Sequence, residues 1–475
     1  MPSISSQATD TEVYQGQAAI FGITAQGGAL SYQWYKGNQV VSGATASSYT
    51  TLSQALSDNG AQYYVIVTNS TGSIKSNVAK LTVNSAPAGK INDTGITASQ
   101  CLSNDALVNC SSTTTDAQDG QVGRDITAND NTDGKAGFSF MKISSTGAEL
   151  ANSATDWSCV KDMTTGLMWE VKTSANKGDT FTNYDNINAD QKYISTNVYE
   201  KPTQSDLDLA TNSVGYKNSV NNAALCGYGD WRLPTLEELQ GLVDYGSSNG
   251  SSSNGYLSIS CGYFSSCSNG PLIDTAWFPN SVNTVTWTSS KAPDFYSSIY
   301  YLSNTSDVYA WITDFSTGKT LNWARNQFKS IRLVRGALPS ADRFSYALDT
   351  DGTTAIVIDL HTKLIWRRCI EGQTWSGSSC SGSSTSYAFS EALVRAKSEA
   401  DTKGKKWRLP NAKELLSIGD NVNTLFPGTT AGNSSVWSAT PYLVTPSQPI
   451  LMRLGWGILD SWYTSSYVHL VRDNE

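Results

Sequence analysis

Short runs of alternating apolar and polar residues fill the first 84 positions of the chain. Runs such as AAIFGITA, YQWYKG and AQYYVIVTN are bounded by Gly, Asn or Ser residues that favour turns. A period of two residues places every second side chain on the same side of a strand, so this pattern predicts short β-strands. Residues 1–84 are therefore expected to form an all-β domain, and residues 85–100 are expected to form a linker.

Two aromatic residues indicate the kind of β domain. Trp34 lies in a run expected to be a central strand, and Tyr63 lies two residues before Val65. In an immunoglobulin sandwich a Trp and a Tyr occupy these places, and the position of Val65 normally carries a disulfide cysteine. The segment thus resembles a bacterial immunoglobulin-like domain in which apolar residues replace that disulfide. Such a domain is expected to act as a spacer.

The remainder of the chain contains an internal repeat. Five motifs occur twice in the same order: DMTTGLMWEV and DLHTKLIWRR, GDWRLPTLEELQGLVDYG and KKWRLPNAKELLSIGDN, AWFPNS and TLFPGT, TWTSS and VWSATPY, SIRLVRG and YVHLVRD. Five ordered motifs indicate a duplication. We assign the first repeat to residues 101–338 and the second to residues 339–475, and we expect insertions between the motifs to form surface loops.

Each repeat is expected to be α+β. After the first Trp-Arg-Leu-Pro motif, Thr235 can cap a helix with Glu238 three positions later, and Asn411 and Glu414 take these places in the second repeat. The runs GLMWEV, LIWRR, IRLVR and VHLVR alternate as short strands do. Glu237, beside Glu238, is expected to lie on a solvated helix face.

Six of the eight cysteines form three pairs that are close in the sequence, which leaves Cys159 and Cys226 to pair across a longer loop. Pairing them predicts four disulfides: Cys101–Cys110, Cys159–Cys226, Cys261–Cys267 and Cys369–Cys380. The chain has no CxxC motif and only two histidines, so a zinc site is not expected. Four disulfides predict an oxidising compartment, outside the cell or at its surface.

Composition and charge narrow the functional classes. The chain of 475 residues holds 23 Tyr and 14 Trp, while charged residues make up only 16%. The net charge of -8 without a basic run disfavours nucleic acid as a partner. Apolar stretches are too short for a transmembrane helix. The start MPSISSQATD is polar throughout, so any export signal is expected to have been removed.

The repeated motifs resemble the Lcl C-terminal domain family (DUF1566), named after a Legionella collagen-like adhesin. The resemblance rests on WSCVKDMTTGLMWEVKT, CGYGDWRLPTLEELQGLVDYG and IRLVRG. It covers residues 101–336 and, more loosely, 343–473. The resemblance implies a variant of the C-type lectin fold and a role in adhesion.

The resemblance also implies an exposed surface in the segment ahead of the last strand of each repeat. In the first repeat the candidate ligand-binding residues are Tyr296, Tyr300, Tyr301, Tyr309, Trp311, Trp323, Arg325 and Asn326. In the second repeat they are Arg453, Trp456, Asp460, Trp462 and Tyr463. Aromatic rings stack on an apolar face of a ligand, while polar neighbours fix its orientation through hydrogen bonds. Strand alternation equally predicts that half or more of these rings point into the core.

Cofactor and enzyme signals are weak. The acidic loop Asp125 to Asp133 could bind calcium through oxygen ligands, but it lacks the spacing of an EF-hand, and a solvated turn explains it more simply. No GxSxG, HExxH or phosphate-loop motif occurs, so no catalytic residue is assigned.

The sequence therefore predicts an all-β immunoglobulin-like sandwich followed by two α+β C-type-lectin-like domains. We expect a secreted or cell-surface bacterial adhesin that binds a glycan or protein receptor on a host or neighbouring cell. The acidic charge favours a protein or a neutral glycan over a polyanion. The alternatives are a structural subunit of a pilus, fibre or surface layer, and an enzyme of the formylglycine-generating type. Attachment to a pilus or another surface structure is compatible with the adhesin prediction.

Overall fold

The computed structural model divides the chain into two compact units. One unit comprises residues 1–87 together with 335–339, and the other comprises residues 88–334 together with 340–475. The residues that the structure describes are 1–14, 19–51, 58–84, 91–103, 106–113, 116–122, 132–185, 191–195, 198–247, 270–292, 308–338, 343–427, 435–443, 448–453, 458–460 and 464–473.

The first unit is all-β, as the alternating pattern predicts. Its strands are β1 (Ser3–Ser6), β2 (Thr11–Tyr14), β3 (Ile20–Gly22), β4 (Thr24–Gln26), β5 (Ser31–Lys36), β6 (Gln39–Val40), β7 (Ser48–Thr50), β8 (Gln62–Asn69), β9 (Gly72–Lys75) and β10 (Ala79–Asn84). The main sheet has the strand order β2-β10-β8-β5-β6, and β9 pairs with β8. The pairs β1–β4 and β3–β7 form smaller antiparallel sheets.

The core of the first unit lies around Trp34, which is fully buried. Trp34 on β5 lies opposite Val65 on β8, and its indole N–H donates to the Ala46 carbonyl at 2.9 Å. Phe21 on β3 stacks on Tyr63, with 4.5 Å between ring centroids, and lies 6.4 Å from the Trp34 ring. Apolar and aromatic side chains thus occupy the centre of this unit where an inter-sheet disulfide would otherwise lie.

The first repeat forms the earlier part of the second unit. Its strands are β11 (Cys101–Ser103), β12 (Ala106–Val108), β13 (Phe140–Ile143), β14 (Glu149–Leu150), β15 (Cys159–Asp162), β16 (Met168–Glu170), β17 (Lys192–Ser195), β18 (Val198–Glu200), β19 (Val285–Lys291), β20 (Tyr309–Asp314), β21 (Thr320–Ala324) and β22 (Val334–Arg335). One sheet has the order β14-β13-β15-β16-β22, and a second sheet has the order β19-β20-β21.

The second repeat follows the same plan. Its strands are β23 (Phe344–Leu348), β24 (Ala355–Asp359), β25 (Leu364–Arg367), β26 (Thr374–Trp375), β27 (Cys380–Ser381), β28 (Ser386–Tyr387), β29 (Ser435–Tyr442), β30 (Gln448–Arg453), β31 (Ile458–Asp460), β32 (Ser466–Tyr467) and β33 (Val471–Asp473). The order β23-β24-β25-β33 corresponds to β13-β15-β16-β22 of the first repeat, and β29-β30-β31 corresponds to β19-β20-β21.

Four of the six α-helices in the part of the chain that the structure describes have four to six residues, and the longest, Phe389–Lys403, has 15. The α-helices are α1 (Gln204–Leu207), α2 (Ser213–Asn222), α3 (Leu236–Gln240), α4 (Phe389–Lys403), α5 (Ala412–Ser417) and α6 (Val422–Leu425). The 3₁₀ turns are Cys110–Ser112, Asp119–Gln121, Leu225–Gly227 and Gly419–Asn421. Among the described residues, no helix has the length and apolar character needed to cross a membrane.

The Trp-Arg-Leu-Pro motif builds the same helix start in both repeats. Thr235 caps α3 and Asn411 caps α5, each within a capping box, as predicted. The arginine of the motif then grips the capping-box glutamate with both guanidinium nitrogens: Arg232 contacts Glu238 at 2.7 and 2.6 Å. In the second repeat, the arginine–glutamate distances are both 2.7 Å. The motif is therefore a structural element rather than an exposed site.

The two repeats share a large hydrophobic cluster, and each repeat also has smaller clusters of its own. Helix α3 of the first repeat packs against α5 of the second. A single cluster of buried residues contains Leu239 and Trp169 from the first repeat together with Leu415 and Trp366 from the second. The apolar faces of these two short helices are thus covered by the other repeat.

The predicted linker, residues 85–100, includes residues that pack within the second unit. Residues 92–96 are buried in the second unit. The Tyr245 amide donates to the Thr94 carbonyl at 2.8 Å, and the Asn92 side chain contacts Asp162. The Pro and Gly content of the segment favours a linker, but backbone and side-chain hydrogen bonds attach its second half to the first repeat.

Three of the four predicted disulfides are confirmed: Cys101–Cys110, Cys159–Cys226 and Cys369–Cys380. The proposed Cys261–Cys267 pair lies outside the described residues. The disulfide between Cys159 and Cys226 ties β15 to the segment ahead of the Trp-Arg-Leu-Pro motif.

Candidate functional site

The described candidate residues of the first repeat lie on the sheet β19-β20-β21 and on the turn that follows it. Register pairs Tyr309 with Ala324, and Trp311 with Asn322. Tyr309 and Trp311 are two positions apart and face the same side of β20. Trp311 is 2% exposed within the shared core, and Tyr309 is partly buried against that core. Trp311 is thus a core residue without a surface for a ligand, which corrects its prediction as a binding residue.

Arg325 is also structural. Its side chain is 1% exposed. Its guanidinium group donates to the Asn183 carbonyl at 2.9 Å and to the Asp185 carboxylate at 3.2 Å. The Arg325 amide donates to the Val308 carbonyl at 2.9 Å. Arg325 anchors the turn after β21, and its prediction as a ligand-binding residue is therefore wrong.

The turn that Arg325 anchors presents the most accessible part of the aromatic run among its described residues. Trp323 is partly exposed, and the Lys329 ammonium group lies 4.3 Å from the centre of its ring. Asn326 is partly exposed, and Phe328 between Asn326 and Lys329 is 54% exposed. We name these four residues (Trp323, Asn326, Phe328 and Lys329) the Trp323 patch.

The Trp323 patch is held at both ends by backbone hydrogen bonds. The Asn183 amide donates to the Arg325 carbonyl at 2.8 Å, and Phe181 and Lys329 exchange amide-to-carbonyl bonds at 2.8 and 3.1 Å. A ligand surface on such a fixed turn loses little conformational entropy on binding.

The sequence did not single out Phe328 or Lys329. Phe328 lies in the same aromatic run, NWARNQFK, and an exposed Phe in a polar turn would have been the available signal. The contact of Lys329 with Trp323 could not be read from spacing, because it depends on how the chain turns back after β21.

The two described candidate residues of the second repeat, Arg453 and Asp460, lie on the corresponding strands. Arg453 ends β30 and is partly buried, and Asp460 ends β31. Strand β31 approaches β21 of the first repeat, with Cα atoms within 8 Å. The Lys319 ammonium group of the first repeat also lies 5.4 Å from the ring centre of Tyr442 in the second. The structure therefore brings the two candidate segments together along one edge of the second unit.

Six candidate residues lie outside the described residues: Tyr296, Tyr300, Tyr301, Trp456, Trp462 and Tyr463. Residues 125–131 of the acidic loop also lie outside them. The hydroxyl of Ser139 donates to the carboxylate of Asp133, the end of that loop, at 2.5 Å. Within the described ranges, no group of His, Cys, Asp or Glu side chains could hold a metal ion.

A polar cluster lies inside the boundary between the repeats. Lys413 of α5 is buried and donates to the Asp93 and Gly241 carbonyls at 2.6 and 2.9 Å. Burial lowers the pKa of Lys413 to about 7, against the opposing effect of nearby carboxylates such as Asp93 and Asp244. These groups are covered on all sides, so the cluster holds the repeats together rather than contacting a ligand.

The glutamates at the start of α3 are not solvated as expected. Glu237 accepts a hydrogen bond from Arg343 at 2.8 Å, and Arg343 also donates to Asp359 at 2.7 and 2.9 Å. Glu238 is held by Arg232. The side chains of adjacent helix positions do point in different directions, but each carboxylate is paired with an arginine. The partner of Glu237, Arg343, belongs to the second repeat.

Comparison with known proteins locates the family region. The chain matches the family described as the Lcl C-terminal domain over residues 158–335 and 355–472, which together make up more than half of the chain. The matched regions begin later than the predicted starts at 101 and 343. Among curated proteins, none matches the chain.

Three solved structures illustrate the similarity of this chain to known folds. A chimeric titin Z1Z2 tandem is 21% identical with a TM-score of 0.16, tandem Ig repeats of Dlar are 17% identical with a TM-score of 0.17, and titin M4 is 22% identical with a TM-score of 0.16. Each match covers 18% of this chain. The chain spans about half of the first two structures, 49% of each, and 95% of titin M4.

Proposed function

The chain belongs to the Lcl C-terminal domain family, and from that premise we propose that it is a secreted or cell-surface recognition protein with no catalytic role. It binds a glycan or a protein receptor on another cell through the edge where β21 and β31 meet. The immunoglobulin-like unit serves as a spacer, and the tandem repeats act as lectin-like binding modules.

One observation carries this proposal: a partly exposed tryptophan and a cation lie together at a fixed turn. Trp323 and Lys329 are 4.3 Å apart, ring centre to ammonium, and the turn is bonded at both ends to residues 181–183. The free part of the indole face suits the apolar face of a sugar ring or an aromatic side chain. Asn326 supplies hydrogen-bonding groups beside it.

The ligand is expected to be neutral or to carry a local negative charge that Lys329 can meet. The net charge of -8 disfavours an extended polyanion. A neutral glycan or a protein receptor therefore fits this surface better. The proposal needs no metal or cofactor, and calcium remains a secondary hypothesis tied to the loop that ends at Asp133.

The described cysteines support an extracellular location and argue against the formylglycine-type alternative. The six described cysteines are all in disulfides. Disulfides persist in oxidising compartments. Among these six, no thiol is available to take part in catalysis.

A glycan array and a cell-adhesion assay with the full chain test the proposal. We expect selective binding that falls at least tenfold in Trp323→Ala. The matched control is Trp375→Ala, because Trp375 is also partly exposed and also has a cation over its ring, Arg368 at 4.3 Å, but lies on the β26–β27 hairpin. Binding that is lost equally in both variants, or retained in both, would contradict the assignment of the site.

Absence of binding to every glycan and to every cell type tested would contradict the recognition role itself. Binding that survives Trp323→Ala but is lost in the strand β31 variant Asp460→Ala would keep the role and move the site to the second repeat.

A further inference from the structure

Strand β23 has an open edge. It is the outer strand of the sheet β23-β24-β25-β33, and within the described part of the chain no strand pairs with its other side. Tyr346 is 47% exposed and Leu348 is 54% exposed. Natural edge strands are usually protected by charges, proline, a bulge or a covering segment, since their free backbone groups attract another strand. The sequence FSYAL has no charge and no proline, and its register with β24 is continuous.

In the first repeat, the corresponding edge is paired with a further strand. Its strand β13 corresponds to β23, because Phe140 lies opposite Asp162 as Phe344 lies opposite Asp359. The outer edge of β13 is paired with β14, which places Lys142 opposite Leu150. An added antiparallel strand therefore completes the sheet of the first repeat.

Among the described residues the second repeat has no counterpart of β14, because the connection between the two corresponding strands is shorter. In the first repeat, residues 144–158 lead from β13 to β15 and carry β14. In the second, residues 349–354 make a tight turn from β23 to β24, closed by the Asp349 amide donating to the Thr354 carbonyl at 2.7 Å. The residues of β13 are mostly buried, whereas those of β23 are mostly exposed.

The ladder shows which backbone groups of β23 face outward. The Leu360 amide donates to the Arg343 carbonyl and the Asp349 amide donates to the Thr354 carbonyl, both at 2.7 Å. Hydrogen-bonding positions alternate along an antiparallel pair, so positions 343, 345, 347 and 349 bond toward β24. Phe344, Tyr346 and Leu348 therefore direct their N–H and C=O groups to the open edge.

We propose that the open edge of β23 pairs with β23 of a second molecule of this chain, antiparallel and centred on Tyr346. In this register Tyr346 meets Tyr346, and Phe344 meets Leu348. All three outward-facing positions then lie opposite one another, and each such pair exchanges two backbone hydrogen bonds.

The segment from 343 to 349 is complementary to itself. The register puts Arg343 opposite Asp349 of the other molecule, and both side chains are already paired within their own molecule, Arg343 with Asp359 and Asp349 with Lys405. Aromatic and aliphatic side chains meet in the middle, which removes the exposed apolar surface of Tyr346 and Leu348 from water. A two-fold contact of this kind closes at a dimer, whereas a fibre needs a contact between unlike surfaces.

Sedimentation velocity of the full chain over a range of concentrations tests the pairing. We expect a reversible dimer for the native chain and a monomer for Tyr346→Pro. Proline at 346 removes an outward N–H and none of the bonds to β24, so the hairpin is expected to keep its fold. The control Val394→Lys changes another exposed apolar residue, on α4, and is expected to leave the dimer intact.

Cysteine trapping gives a second readout that does not depend on the proline variant. Paired Cα atoms at hydrogen-bonded positions lie about 5.5 Å apart, within reach of a disulfide. Tyr346→Cys is therefore expected to form a covalent dimer under mild oxidation. Ser345→Cys is the matched control, because its symmetry mate is offset by two residues and lies about 7–8 Å away.

A native chain that stays monomeric at every concentration overturns the proposal, and so does equal cross-linking of the two cysteine variants. Pairing of the edge with an extended peptide from a different protein, in a chain that does not self-associate, also overturns it. A variant that no longer dimerises but still binds its ligand would leave the proposed recognition role unaffected. The failure of one proposal can therefore be distinguished from the failure of the other.

Discussion

Thr440 of the second repeat donates a hydrogen bond of 2.6 Å to the carboxylate of Asp119. Thr94 donates to the same oxygen at 2.8 Å. Asp119 lies ahead of the matched region of the first repeat, so its carboxylate links a lead-in segment to the second repeat. Burial and the nearby charge of Asp93 raise the pKa of Asp119 to about 7 despite these two hydroxyl groups.

The substitution Asp119→Asn is expected to flatten the pH dependence of stability between pH 4 and 7. The folded-state pKa lies above the ordinary value of 3.8, so the contribution of Asp119 is fully present below pH 4 and is lost as the pH rises through 7. Across this range the contribution of Asp119 to the free energy of unfolding falls by about 4 kcal/mol. Urea unfolding at several pH values measures it, and equal slopes in the native chain and the variant would refute this role.

The buried Lys413 is expected to make stability rise with pH above neutrality, opposite to the effect of Asp119. Its folded-state pKa of about 7 lies below the ordinary 10.5, so the unfolded chain binds more protons between these values. Stability is therefore expected to rise as the pH increases from 7 to 9. Lys413→Met is expected to remove this rise, whereas Lys397→Met, which removes an exposed ammonium group, should leave it unchanged. A native chain with no rise would contradict the prediction.

Because the two repeats share a hydrophobic cluster, we expect a destabilising substitution in one repeat to destabilise the other as well. Leu415 on α5 is fully buried in the cluster that contains Leu239 of α3. Leu415→Ala is expected to cost about 2–5 kcal/mol. Hydrogen exchange should show faster opening of amides in α3 as well as in α5. Unchanged protection of the first repeat would mean that the repeats unfold independently.

The arginine of the Trp-Arg-Leu-Pro motif is not expected to be replaceable by lysine. Arg408 holds Glu414 with two nitrogens, and lysine cannot reproduce this fork. Arg408→Lys is expected to lower the free energy of unfolding by about 1–3 kcal/mol. The exposed ion pair of Lys397 with Asp401 provides the comparison, because Lys397→Gln should cost less than about 0.5 kcal/mol. Denaturant unfolding distinguishes them, and equal losses would argue against a special role for the motif.

Features that depend on neighbours in the sequence could be predicted. The capping residues Thr235 and Asn411 start their helices because each reaches an amide three positions away. The cysteines of Cys101–Cys110 and Cys369–Cys380 are close in the chain, so their pairing was accessible to sequence reasoning. The duplication itself is visible as five ordered motifs.

The orientation of the aromatic residues could not be predicted in the same way. Strand alternation separates the two sides of β20, but it does not show that both sides are covered. Trp311 is buried because α3 and the second repeat cover its side of the sheet, and Arg325 is buried because Asn183 and Asp185 lie 140 or more positions away in the chain yet fold against it.

The sequence by itself determined that this protein is a tandem of Trp-Arg-Leu-Pro repeats behind a β domain, since motifs, caps and local cysteine pairs are short-range features. Only the tertiary structure decided that the repeats share a large hydrophobic cluster and that Trp323 remains accessible. It also decided that no described strand covers β23 in the way that β14 covers β13. These outcomes depend on which surfaces meet, and contacts between residues far apart in the chain leave no local periodic signal.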